Sequence, residues 1–225
     1  MAPPRAPIAV GTSTDSGNKT TQNWSFNHTV TDLPSRVLVL GICTRDAGTA
    51  GDTVISSVTY GGVAMTIVRD DTVAGTTSIR STICILVNPP AGVNSVAVSG
   101  AGVPDQARGL AVNVSNVDQT TPQDVSSTGT NGSTSPASLS ITSATDGAVG
   151  IGILALNATS TITPASGGGQ TEIDENGDGA NYNMEMNYKL GATAGAIAMN
   201  LTVSGSRWGY SIIALRPRRR KPRTA

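Results

Sequence analysis

Aromatic side chains make up only 3% of this 225-residue chain, charged ones only 13%, and there is one histidine, His28. Each scarcity excludes something. Nucleophilic triads and most metal sites lean on histidine, whose nitrogens serve as base or ligand near neutral pH. With His28 alternating beside Trp24 and Phe26, it reads as a packed strand residue. No Gly-x-Ser-x-Gly, His-Glu-x-x-His or Cys-x-x-Cys occurs, and the chain reads as non-enzymatic. No apolar run approaches the ~20 residues that a membrane helix needs. The start, Met-Ala-Pro-Pro-Arg-Ala-Pro, has no apolar h-region, so no secretory signal is expected and synthesis is placed in a host cytoplasm. The two cysteines, Cys43 and Cys84, lie in apolar stretches and read as reduced, buried thiols; the alternative is a cross-strand disulfide.

What is abundant is Ser, Thr, Val, Ala and 26 glycines, a mixture suited to half-buried pleated strands and short turns. Val58 and Tyr60, then Val63, Met65 and Ile67, flank Gly61-Gly62. That is a hairpin around a two-residue turn whose centres both need positive φ. Asn88-Pro89-Pro90 stops another strand, because proline gives no donor to a ladder. About a dozen strands follow one another at the 8–12-residue spacing of sandwiches and barrels. The Ser/Thr/Gly/Asn-rich stretch 126–135 reads as a long surface loop, and no internal repeat is visible. The predicted fold is all-β: one antiparallel, jelly-roll-like β-sandwich over 12–216, with an extended arm at 1–11 and a basic tail at 217–225.

Several segments carry a resemblance: Val58-Thr-Tyr-Gly-Gly, Leu86-Val-Asn-Pro-Pro-Ala-Gly, Val114-Ser-Asn-Val-Asp-Gln-Thr-Thr-Pro, Gly169-Gln-Thr and Ser211-Ile-Ile-Ala-Leu-Arg-Pro. Together they resemble a β-sandwich module of phage head and tail structural proteins and related bacterial proteins, over roughly residues 30–217. The resemblance implies a virion structural protein of a tailed phage, either a capsid decoration or cement protein or a tail-associated one. Its partners would be major capsid or tail proteins. Fold analogy adds a homo-oligomer, a trimer. The alternative is a carbohydrate-binding or adhesin-type module. No catalytic residue comes with the family, and the chain departs from it at 174–185 and in its basic tail.

Three local features bear on binding. Asp174, Asn176 and Asp178, with Gly179 sixth and Glu185 twelfth, match the twelve-residue calcium loop, but strands rather than helices are predicted on either side. No cofactor is expected, with calcium at this loop as the alternative to a plain Asn/Asp/Gly turn. Among the aromatics, Trp24, Phe26, Trp208 and Tyr210 sit at strand period and read as core, leaving Tyr182 as the candidate for exposure. The charge map is strongly uneven. All 15 acidic residues and nine of the 15 basic ones precede position 216, a body charge of −6; the last ten residues carry six positive charges. Arg216, Arg218, Arg219, Arg220, Lys221 and Arg223 are therefore the candidate partner-binding residues, for an acidic neighbour or packaged nucleic acid.

Overall fold

Local chemistry starts the fold. Gly61 and Gly62 take φ of 56° and 80°, and their turn joins β4 (Ile55–Tyr60) to β5 (Val63–Ala64) with Tyr60 opposite Val63. The ladder then changes partner: β6 (Thr66–Val73) leaves β4 and pairs instead with β7 (Ser78–Val87). Pro89 and Pro90 end β7, and Gly92, at φ 92°, opens β8 (Gly92–Gly100). With β1 (Ala9–Asp15), β2 (Asn23–Val30), β3 (Val37–Asp46) and β9 (Gln106–Ser115), these strands form two sheets, ordered β1-β9-β3-β7-β6 and β2-β8-β4-β5. The computed structural model describes residues 5–164, 168–204 and 206–219. Among them no helix is long and apolar enough to cross a membrane.

The second half of the chain repeats the plan. It comprises β10 (Gln123–Gly132), β11 (Ala137–Ser143), β12 (Val149–Leu156), β13 (Thr163–Pro164), β14 (Thr171–Gly177), β15 (Asn183–Leu190), β16 (Gly195–Thr202) and β17 (Trp208–Leu215). Its sheets are ordered β10-β17-β12-β15-β14 and β11-β16-β13, the same topology except that the two-residue β5 has no counterpart. Register repeats too: Val37 lies between Val114 and Val87, and Val149 between Leu215 and Leu190. Both halves bulge at one equivalent place, between Ile67 and Arg69 and between Glu172 and Asp174. Both turn into their central strand through a positive φ two residues before it, at Ser35 (54°) and Gly147 (73°). The all-β antiparallel sandwich is therefore doubled, and the repeat that the sequence does not display is present in the hydrogen-bond pattern.

The halves stack through their five-stranded sheets, giving four layers and three cores. The middle core joins Val37, Val39, Ile83 and Val112 to Ile151, Ile153, Met186 and Ile213. Each outer core lies between a five-stranded sheet and its smaller companion. The inner sheets meet in opposite order, with β1 against β14 and β6 against β10 and β17. An approximate twofold axis thus passes near β3 and β12.

Three sequence expectations change. Residues 126–132 of the expected surface loop belong to a strand, β10, paired along β17. Its glycines serve close approach rather than turning: a Cβ on Gly129 would fall 1.9 Å from the Asp71 carboxylate, and one on Gly132 would fall 2.6 Å from the Trp208 ring. The expected arm boundary at residue 11 falls inside β1. Tyr182, expected at the surface, is fully buried in the middle core. The two cysteines are free and lie in different cores, Cys43 in the middle one and Cys84 in the outer one, on opposite faces of one sheet. That geometry forbids a bond between them.

Candidate interaction site at the chain ends

The basic segment begins where β17 ends. The Arg216 amide donates to Pro122 O, the Asp118 amide to Arg216 O, and the Arg218 amide to Asn116 O, each at 2.8 Å. On its other side the Ala6 amide donates to Arg218 O at 3.1 Å, and Arg5 Nη1 reaches Pro217 O at 2.9 Å. Residues 216–219 are thus the middle strand of a ribbon, between the 116–118 connector and the N-terminal arm. Pro217 is buried. The sequence reading ended the folded body at 216; the described part of the tail is built into the structure through Arg219.

The candidate arginines separate by environment. Arg216 is committed internally: its Nε donates to Asp124 Oδ1 at 3.1 Å and its Nη1 to Thr121 Oγ1 at 3.1 Å. The Asp124 side chain is wholly buried. Burial alone would raise its pKa, but Thr145, Ser143, the Ala144 amide and Arg216 together hold it below the usual carboxylate range. Arg218 is half-buried, with Nη1 3.5 Å from Ser35 Oγ. Arg219 is exposed, its backbone bridged to Arg5. Arg220, Lys221 and Arg223 lie outside the described residues. Beside Arg218 and Arg219 is an open depression of about 980 Å³, lined also by Ser35, Asn116, Asp118 and Thr120. Although burial pushes the Asp118 carboxyl up, the Thr121 and Thr120 amides and the charges of Arg216 and Arg5 hold its pKa down. One polar end of the molecule thus gathers Arg5, Arg218 and Arg219 beside the Asp118 carboxylate.

The other candidate groups are occupied in building the fold. Both ring nitrogens of His28 have partners, Nδ1 with Thr14 Oγ1 at 2.8 Å and Nε2 with Asn113 Oδ1 at 3.1 Å, so it ties β2 to β1 and β9. Burial lowers its pKa, which the Asn113 contact only partly offsets. Asp70 and Asp71 point apart, Asp70 to Arg80 and Thr82 and Asp71 to Arg69 and Ser211. The calcium-loop residues fall on a hairpin. Asp174 accepts from Ser13 and Asn176. Asp178 Oδ1 caps the amides of Ala180, Asn181 and Tyr182, and Glu185 is buried in β15 opposite Glu175. Among the described residues no group of three His, Cys, Asp or Glu is placed to hold a metal. No aromatic ring stands exposed: Trp24, Tyr60, Tyr182, Trp208 and Tyr210 are buried, and Phe26 and Tyr188 are half-buried.

Sequence reasoning found the basic segment from its charge but missed its partners. Asp118, Asp124 and Arg5 lie 92 or more positions away from Arg216 along the chain, and only long-range strand pairing brings them there. No family model, no curated protein and no solved structure matches this chain.

Proposed function

We propose that this chain is a non-enzymatic structural protein of a tailed-phage virion, attached by its basic end to an acidic surface of a neighbouring capsid or tail protein. The observation that carries the reading is the ribbon at the chain ends. It fixes Arg218 and Arg219 at one pole, where three more cations follow in the sequence, while Arg216 is used up on Asp124. A rigid base for a cationic segment lowers the ordering cost of docking, and charges of one sign speed encounter with an acidic partner. The resemblance to phage head and tail modules supports the same reading, as does the body charge of −6, which lets a second copy serve as an acidic neighbour. Capsid decoration and tail association both fit this attachment, and fold analogy supports a trimer.

The test is attachment. Purified particles should contain the protein by mass spectrometry. A chain ending at Arg219 should fold normally yet bind particles more weakly than the full chain, the difference shrinking as salt rises. Absence from particles would overturn the reading; salt-independent attachment of both chains would overturn the role of the tail.

A further inference from the structure

The interface between the halves is built around an axis, and at that axis the two sides differ. By register Gly41 and Ile153 are equivalent positions: Gly41 stands opposite Leu110 and Ile83 in its sheet, and Ile153 opposite Ser211 and Met186 in the other. They also touch each other. A Cβ on Gly41 would lie 2.7 Å from Ile153 Cδ1 and 2.9 Å from its Cγ1. Equivalent residues meet only where a twofold axis passes, so this contact marks it. One side supplies a hole and the other fills it. Two N-terminal faces would put glycine against glycine and leave a void; two C-terminal faces would drive isoleucine into isoleucine.

A second pair breaks the symmetry in the same sense. Ser81 Oγ and Ser211 Oγ are 2.7 Å apart across the interface, and Ser211 Oγ also donates to Asp71 Oδ2 at 2.6 Å. The register counterparts of Ser81 and Ser211 are Met184 and Leu110, both buried in the same core. Like-with-like pairing would set Ser81 against Leu110 and Met184 against Ser211, stranding buried hydroxyls without partners. Each face therefore fits only the other kind.

We propose that these inner-sheet faces are a heterotypic recognition surface whose second partner is another copy of this chain, so that copies link by exchanging sandwiches. Only residues 116–122 join the halves. The chain reverses there in a turn held by Asp118 Oδ1, which accepts from the Thr120 and Thr121 amides at 2.9 and 3.0 Å. Straightening that turn gives up the ribbon bonds at Asn116, Asp118 and Pro122 and delivers the second sandwich to a neighbour, where the inner-sheet contacts are remade. The closed form wins in dilute solution because a short connector gives an effective concentration in the millimolar range. Crowded copies on a particle reach the same regime, which makes exchange a route to the homo-oligomer.

The experiment mixes two full-length populations carrying different affinity tags at millimolar concentration. The mixture is warmed below the unfolding midpoint and diluted, and two-tag dimers are counted by sequential capture and light scattering. Wild type with wild type should give two-tag dimers. The double variant G41I/I153G moves the knob to the other side; it should exchange with itself but at least tenfold less with wild type, since void and clash each cost about 1–3 kcal/mol. Asp118→Ala, which loosens the turn and leaves the interface intact, should raise the two-tag yield severalfold and reads the proposal even if the double variant does not fold. Only monomers from both wild type and Asp118→Ala would overturn it. So would a double variant that pairs with wild type as readily as with itself, because the dimer would then use another surface.

Discussion

The two sandwiches share strand order, register and bulge, yet at matching positions they place different chemistry. In the first, Asp70 on β6 faces Thr82 on β7 and accepts from its hydroxyl at 2.8 Å, and Arg80 supplies a cation. In the second, Glu175 on β14 faces Glu185 on β15, and Asn183 stands where Arg80 stands in the first. The cation is gone and an acid has been added. Glu185 is fully buried and its Oε2 has no hydrogen-bond partner, although Asn187 Nδ2 reaches Oε1 at 3.2 Å. Burial first, then the charge of Glu172, pushes its pKa up to about 9. The first sandwich instead holds His28, whose pKa burial lowers. One fold thus carries two buried titratable groups of opposite sign, and a shared topology does not dictate what its interior must neutralise.

The sharpest way to separate the halves is Asp124→Ala. Asp124 takes donors from Ser143, Ala144, Thr145 and Arg216. Unfolding by denaturant should show a loss of about 4 kcal/mol. A loss below about 1 kcal/mol would show that this hub does not hold the second sandwich closed.

Next in size is Glu185→Gln. The folded chain keeps a proton on Glu185 that the unfolded chain releases above its ordinary pKa of 4.5, so wild-type stability falls as pH rises from 4.5 to about 9. At pH 7 the variant should gain up to about 3 kcal/mol, and the gain should vanish near pH 4.5. A gain that does not change with pH would mean the buried charge is not its source.

His28→Gln probes the first sandwich with the reverse sign. Burial lowers the pKa of His28, so as pH falls below 6.5 the unfolded chain takes up its proton more readily than the folded one and stability is lost. Wild-type stability should fall with pH below 6.5, and the variant should be flatter over that range. Parallel curves for the two proteins would remove His28 from the acid response.

Smallest is Arg80→Gln. Its partner Asp70 is about one-third exposed (34%), so thermal melting should register no more than about 1 kcal/mol. A larger loss would place Arg80 nearer in importance to Asp124 and narrow the contrast between the sandwiches.

The hairpin at Gly61-Gly62, the stop at Pro89-Pro90 and the final strand through Leu215 were legible, because each is written in neighbouring residues. The polar strand β10 was not, since Ser, Thr and Gly there look like a loop until β17 pairs with them. Tyr182 was misjudged for a similar reason. Its Asn- and Gly-rich neighbours form a turn, but the turn delivers its ring under β3, where the phenol packs beside the Cys43 thiol. For the candidate site, the arginines were legible as charge. That Arg216 is spent internally and Pro217 buried depended on a partner strand about a hundred residues away.

By itself, then, the sequence determined the strand class and the local turns, since backbone φ preference and apolar alternation act over a few residues. Only the tertiary structure decided that there are two sandwiches. Their equivalence resides in hydrogen-bond register, which constrains backbone and leaves side chains free to diverge, so Gly41 can answer Ile153 and Arg80 can become Asn183 without disturbing the plan. Burial decided the rest: Glu185 and His28 are ordinary residues in the chain, and become distinctive only where water is excluded and the nearest charges are fixed.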